Sequence, residues 1–303
     1  PTENGTHMAS ACTNGLDTGF IELGYAKVAA LGVVQGITEL LPISSTAHMR
    51  IVPALFGWRD PGSAFSAAMQ AAAVIAVISY FWKDVRGLVF GSVGAVVRRD
   101  FSDWNFRFAM WIVLATLPIV ISGVLLAPVL NACDTPLRGL PVIGISMITL
   151  AVILAIAEIY CDHSRKFDQI NLKDALIVGI AQCGALIPGV SRAGSTLTAA
   201  LFRDLNREDA ARFSFLLGLP AIAGAGLKEF HVLYKAGLSA YGWSVLGVGL
   251  GPPRYVATVL AATATVLCLA AGPAAIVAPA LDSVTWSFAA ACLAPVLLFS
   301  LIL

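Results

Sequence analysis

Apolar runs long enough to cross a bilayer alternate with short polar connections along most of the chain, and two of these runs are broken by polar residues near their centres. A helix crossing a hydrocarbon core of about 30 Å needs roughly 20 apolar residues. Unbroken runs at Phe65–Trp82, Phe108–Leu130, Leu140–Tyr160 and from Phe213 to about Phe230 each predict a spanning helix. Val245–Gly272, interrupted by Pro252, Pro253 and Arg254, and Val284–Leu303 predict two more. Gly87–Val97 is apolar but too short to span, and reads as an interfacial piece between Lys83 and Arg107. The broken runs are Leu23 to about Phe56 and Leu176–Phe202. Broken backbone at membrane depth is tolerated only where protein or a water-filled cavity satisfies it. Each broken run therefore predicts a pair of half-helices that dip into the membrane and return.

The first break is Gly36-Ile37-Thr38-Glu39-Leu40-Leu41-Pro42-Ile43-Ser44-Ser45-Thr46-Ala47-His48-Met49-Arg50, and the second is Ile187-Pro188-Gly189-Val190-Ser191-Arg192-Ala193-Gly194-Ser195-Thr196. Ionisable side chains inside the membrane are costly and mark functional sites by default. The two runs also repeat one another. Gly32, Gln35 and Ser44 match Gly179, Gln182 and Ser191 at one offset, and Phe65-Ser66 matches Phe213-Ser214 after a short slip. Three predicted crossings separate the two breaks, an odd number, so the repeats have opposite orientations in the membrane. The fold expected is all-α: a polytopic membrane helical bundle with inverted-topology repeats and two re-entrant helices. Repeat 1 covers about 23–130 and repeat 2 about 140–303, in a single membrane domain over residues 19–303. Residues 1–18 are polar, lack the layout of a signal peptide, and read as a disordered or vector-derived tail.

Composition agrees. The chain is 58% hydrophobic and only 12% charged, against about 25% charged in soluble domains. A net charge of +1 argues against nucleic acid as a partner. The six cysteines show no metal-binding spacing and read as small apolar packing residues. The basic segments Lys83–Arg107 and Cys161–Asp174 lie two crossings apart, hence on one side, and by the positive-inside rule that side is cytoplasmic. The first break then enters from outside and the second from the cytoplasm.

The chemistry follows from the residue types. Ser44 or Ser45 suits the N-cap of the half-helix after Pro42, and Ser191 the one after Pro188-Gly189. Two helix N-termini facing each other make an anion site able to hold two phosphates. Arg192 adds a permanent planar cation suited to phosphate. Glu39 is a carboxylate for a hard divalent cation, Mg²⁺ or Ca²⁺, and Gln35 one turn earlier offers a further oxygen. Ser45 and His48 share a helix face at i,i+3, so the imidazole can take the hydroxyl proton or attack phosphorus itself. An attacking water is a third option. Arg50 reads as an interfacial cation, and Glu158, Lys228 and Glu229 as solvated ends of spans.

Gln35-Gly36-Ile37-Thr38-Glu39 through His48 closely resembles the first signature of the undecaprenyl-diphosphate phosphatase family, the bacitracin-resistance membrane proteins. Pro188 to Thr196 resembles the second signature, and Phe213 to Ile222 a further family segment. The resemblance runs from about Ala26 to Phe230, while the chain after about Tyr234 does not match the family's usual ending. The resemblance implies hydrolysis of undecaprenyl diphosphate to undecaprenyl phosphate, the lipid carrier for peptidoglycan, and hence bacitracin resistance. It implies Glu39 and Gln35 at the metal, Ser45 and His48 as nucleophile and acid–base pair, and Arg192 on the diphosphate. Ser44, Thr46, Ser191, Gly194 and Ser195 would complete the substrate site. It also implies a homodimer in the bacterial inner membrane with the site open to the extracytoplasmic side. Gln35 stands where members carry Glu or Gln, so this site has one carboxylate where some relatives have two. A membrane transporter or lipid flippase is the competing class, since inverted repeats with broken helices also serve transport. A structural scaffold would leave Glu39 and Arg192 unexplained.

Overall fold

The computed structural model describes residues 19–130 and 137–250 apart from positions 138 and 236. The tail over 1–18, most of Val245–Gly272 and all of Val284–Leu303 lie outside the described residues.

Every regular element among the described residues is helical. The first broken run folds as α1 (Phe20–Leu40) and α2 (Ser45–Leu55), followed by α3 (Ser63–Tyr80), α4 (Trp82–Arg98), α5 (Trp104–Leu130) and α6 (Leu140–Tyr160). The second broken run gives α7 (Leu172–Ala181), a 3-10 turn (Gln182–Leu186) and α8 (Arg192–Leu201), and α9 (Arg207–Lys235) and α10 (Ala240–Leu250) complete the described chain. Among the described residues four helices are long and apolar enough to cross a membrane: α1, α5, α6 and α9. With the many apolar side chains left exposed, such as Leu125 and Val124 on α5 and Ile159 on α6, this makes the protein a membrane helical bundle.

Two features depart from the pattern of apolar residues alone. The apolar piece Gly87–Val97 lies within a longer, 17-residue helix, α4, which buries only Ala95 fully and leaves Phe90, Val93 and Val97 exposed. Glu158 is not solvated. It is buried and bonded to Arg207, which opens α9 six residues before the apolar run that marks that helix in the sequence. A buried carboxylate at a span end needs such a partner.

The core among the described residues falls into two aromatic-anchored clusters and a small third one of Ala47, Ile143 and Met147. Phe65 stacks on Phe20, with ring centroids 5.2 Å apart, among Leu31, Met49 and Met69. Its counterpart Phe213 packs against Phe108 at 5.8 Å, beside Trp111 and Leu201. The matched glycines also do matching work. A β-carbon on Gly32 would lie 2.3 Å from the Gly249 carbonyl oxygen of α10, and one on Gly179 would lie 2.3 Å from the Ala115 carbonyl oxygen of α5. Both contacts are far inside van der Waals distance, so α1 crosses α10, and α7 crosses α5, only because these positions lack side chains.

The two basic segments meet at one end of the bundle. Arg212 of α9 pairs with Asp84 of α4 and stacks 4.2 Å over Phe167, which in turn contacts Phe108 at the start of α5. Beside them Asp174, fully buried in the first turn of α7, accepts from Arg165 at 2.6 Å and from Arg203 at 2.7 Å. Burial alone would raise its carboxyl pKa, but the bonds from Arg165, Arg203 and the Asn171 backbone outweigh it and hold the group below the usual carboxylate range.

Candidate active site

Pro42 cannot continue α1, and Leu41 leaves the helix in an extended conformation. The chain then turns through Ser44, whose φ of 65° is rare for a residue with a side chain. That conformation makes Ser44 the N-cap of α2, its hydroxyl accepting from the Ala47 amide at 3.4 Å. The second break has the same design. Gly189, at φ 94°, packs so closely under α6 that a β-carbon there would lie 2.6 Å from the Ile143 carbonyl oxygen. Ser191 then caps α8, accepting from the Gly194 amide at 3.1 Å.

Between the two caps lies a cavity of about 210 Å³. Its polar side is built from Thr38, Glu39, Ser44, Ser45 and Thr46 of the first break, and Ser191 and Arg192 of the second. Its apolar side is Ile119 of α5, Leu186, Val190, and Ala221, Ile222 and Ala225 of α9. Pockets that enclose a drug-sized ligand run to about 300–1,000 Å³, so this one suits a headgroup and the first carbons of a lipid.

Glu39 is the hub. Its Oε1 accepts from Arg192 Nη2 at 2.6 Å, and its Oε2 accepts from Gln35 Nε2 at 3.0 Å and from the Ser45 hydroxyl. The side chains of Glu39 and Arg192 are only 7% and 16% exposed. Arg192 is held in turn from α9: Ser214 shares a hydrogen bond with Thr196 and donates to the Ala193 carbonyl at 3.2 Å, steadying the first turn of α8.

Of the residues singled out in the sequence, Glu39, Ser44, Ser45, Thr46, Ser191 and Arg192 meet at this cavity. Four stand back from it. Gln35 is buried behind Glu39, with its Oε1 unpartnered among the described residues. Gly194 is a packing position, where a β-carbon would lie 2.9 Å from a Leu150 methyl and 3.2 Å from the Pro42 carbonyl oxygen. Ser195 is spent on its own helix, its hydroxyl donating to the Ser191 carbonyl at 2.9 Å. His48 shares a helix face with Ser45, as the spacing requires, but the two are not hydrogen-bonded here. The His48 ring turns back to the Ser44 carbonyl, 2.9 Å from Nδ1, and Ser45 pairs with Glu39 instead. A carbonyl only accepts, so Nδ1 carries the proton and Nε2 of the neutral ring keeps its lone pair. Gln70 of α3 also lines the cavity. Its sequence signal is a lone amide inside the apolar run Phe65–Trp82.

The donor set suits a hard divalent cation of a particular kind. Among the described residues no cluster of three or more His, Cys, Asp and Glu could cage a metal. Glu39 is the one carboxylate at the cavity, and Gln35, bonded to it through Nε2, keeps its Oε1 unpartnered among the described residues. That matches an ion which takes one or two carboxylates and draws its other ligands from substrate phosphates and water.

The comparisons with known proteins bear on the family. The chain is similar to undecaprenyl-diphosphatase 2 of Mesorhizobium japonicum, 70% identical over 217 residues, which is 72% of this chain and 82% of that protein. It is 49% identical over 224 residues to the undecaprenyl-diphosphatase of Synechococcus elongatus, covering 74% of this chain and 78% of the relative. With the undecaprenyl-diphosphatase of Trichormus variabilis the identity is 43% over 231 residues, 76% and 72% of the two chains. The family described as bacitracin resistance protein BacA matches residues 28–293. That match runs past Tyr234 to residue 293, while the relatives align over 217 to 231 residues of the chain. The chain is a member of the BacA family.

Proposed function

We propose that this protein is a membrane phosphatase that hydrolyses undecaprenyl diphosphate to undecaprenyl phosphate and inorganic phosphate. The observation that carries the reading is the junction of Glu39 and Ser45 with Arg192 in one cavity that is polar on one side and apolar on the other. The polar side suits a diphosphate, and the apolar side suits the first carbons of a prenyl chain.

In this reading Ser45 is the nucleophile. Its oxygen attacks the terminal phosphorus, the bond from phosphorus to the bridging oxygen breaks, and undecaprenyl phosphate leaves. Water then cleaves the phosphoserine and releases phosphate. Glu39 holds the Ser45 hydroxyl, and His48, with Nε2 unprotonated on the same helix face, takes its proton after the ring swings from the Ser44 carbonyl. Arg192 and the N-termini of α2 and α8 bind the diphosphate oxygens. Glu39 and Gln35 Oε1 would hold Mg²⁺ or Ca²⁺, which when bound neutralises charge on the phosphates. Phosphoryl transfer rests mainly on such positioning and charge stabilisation.

The architecture fits inverted repeats with re-entrant segments, although α1, unlike α2, α7 and α8, is long enough to cross. Helices α2, α7 and α8 have 11, 10 and 10 residues, about 15 Å each, and reach only half-way across a bilayer. The matched glycines support the repeat, each opening a close crossing to a helix of the other half. The protein then sits as a multi-pass homodimer in the bacterial inner membrane, its basic end cytoplasmic and its cavity open to the extracytoplasmic side. There it recycles the carrier for peptidoglycan and confers bacitracin resistance.

The test is phosphate release from a prenyl diphosphate by purified protein in detergent, with and without Mg²⁺ or Ca²⁺, beside Ser45→Ala. Metal-dependent release that Ser45→Ala abolishes supports the reading. A folded wild type that releases nothing, yet moves prenyl phosphate across vesicles, makes the protein a lipid carrier.

A further inference from the structure

Gln70 is the one polar side chain of the described cavity wall that belongs to neither broken segment. It sits in the middle of α3, among Ala68, Met69, Ala71, Ala72 and Ala73. The serines of α3 whose side chains are described satisfy themselves within the helix: Ser66 donates to the Gly62 carbonyl at 3.2 Å and Ser79 to the Ile75 carbonyl at 2.7 Å. Gln70 is too long for that, and its amide makes no hydrogen bond to any described residue. Gln70 is only half-buried, so its amide is open to the cavity, and a ligand that displaces water there must replace the hydrogen bonds it makes.

Its place in the cavity says what that partner is. Helix α3 runs along α9, with Ala71 3.6 Å from a β-carbon built on Gly226. Gln70 thus lines the cavity from the helix packed along α9, which supplies Ala221, Ile222 and Ala225 to the apolar part of the wall. Ser45, Glu39 and Arg192 occupy the polar part. A prenyl diphosphate bound across this cavity has its terminal phosphate at Ser45 and its prenyl carbons against α9. The phosphate that bears the lipid lies between.

We propose that Gln70 is a substrate-binding residue that donates from Nε2 to an oxygen of the lipid-bearing phosphate. The proposal takes its ligand from the phosphatase reading. It implies that Gln70 also grips the product, because undecaprenyl phosphate keeps that same phosphate. A neutral amide bonded to the group that does not react holds ground state and transition state alike, so it acts on KM and leaves kcat nearly unchanged.

The experiment compares wild type with Gln70→Leu, which keeps the bulk and loses the donor, and Gln70→Glu, which keeps the shape and repels phosphate. Steady-state phosphate release gives KM and kcat. Direct binding of a prenyl monophosphate, measured in EDTA, gives product affinity with no turnover. Thermal unfolding checks that the variants fold. The expected result is a KM and a monophosphate Kd that both rise roughly tenfold or more in Gln70→Leu, as for losing one hydrogen bond to a charged group. Gln70→Glu should be weaker still, with kcat within about threefold of wild type in both. A monophosphate Kd at the wild-type value in both variants overturns the proposal, whatever happens to KM. Binding needs no hydrolysis, so a wild type that binds the monophosphate but releases no phosphate refutes the phosphatase reading while Gln70 is still decided.

Discussion

Arg192 Nη2 lies 2.6 Å from Glu39 Oε1, although 153 positions separate the two residues in the chain. Each comes from a different broken segment, and each is nearly shut off from solvent. The pair therefore welds the two segments together at the point where the chemistry is proposed. Removing one partner of a buried ion pair strands the other charge, at a cost of about 3–5 kcal/mol. Arg192→Ala should lower the unfolding temperature in detergent and cut phosphate release at least about 100-fold. Arg192→Lys should keep part of the stability and little of the activity, because an ammonium lacks the planar fork. Full activity in Arg192→Lys would show that only charge is needed there.

Ser45 and His48 should behave as one unit. Ser45→Ala and His48→Ala are each expected to lower kcat by about three orders of magnitude. The double variant should be no worse than the poorer single one. Multiplying losses would mean that the two residues act in separate steps. Rapid acid quenching of wild type should capture phosphate on Ser45 and on no other serine.

Gln35 offers a direct probe of the metal. Gln35→Glu places a second carboxylate against Glu39, where a Gln35 Nε2 hydrogen bond of 3.0 Å now stands. In EDTA that variant should unfold at a lower temperature than wild type, because like charges meet in a buried site. Adding Mg²⁺ should restore it, and half-maximal activity should need several-fold less metal, since a second carboxylate is now offered to the ion. A melting curve that does not respond to metal would argue against an ion beside Glu39.

Ser214 never enters the cavity, yet it bonds Thr196 and the Ala193 carbonyl next to Arg192. Ser214→Ala should destabilise by about 1 kcal/mol. It should also lower kcat/KM several-fold, because the helix turn that aims Arg192 loosens. Unchanged kinetics with the lower stability would reduce Ser214 to a packing role.

Acid sensitivity should come from the loop end of the bundle. The Asp174 pKa is depressed in the folded protein. The stability it contributes is therefore complete above its unfolded value of about 3.9 and is lost as pH falls through the folded value. Thermal unfolding should shift downward below about pH 4. Asp174→Asn should cost about 3 kcal/mol at neutral pH and flatten that acid limb. An equally steep limb in the variant would place the acid-labile group elsewhere.

Much of this was legible along the chain because membrane helices answer mainly to local physics. Leu140–Tyr160 is a helix with the same ends in the sequence pattern and in the structure, since its apolar run stops sharply at a polar loop. The cap at Ser191 was equally readable and the first cap was narrowed to Ser44 or Ser45, because Pro42 and Pro188-Gly189 end one helix and a serine suits the start of the next. Glu39, Ser45 and Arg192 stood out as polar groups that lipid would reject. Glu158 misled because proximity to a span end says nothing about a partner 49 positions away.

The chain by itself therefore determined the helices, their breaks and the residues too polar for lipid, because each depends on a run of neighbours and on what a bilayer excludes. Tertiary structure alone decided how those residues pair. It joined Glu39 to Arg192 and to Ser45, turned His48 towards the Ser44 carbonyl, and brought Gln70 to the cavity wall. Hydrogen bonds act over about 3 Å. Which groups come that close depends on how whole helices cross, at contacts such as Gly32 with Gly249 and Gly179 with Ala115.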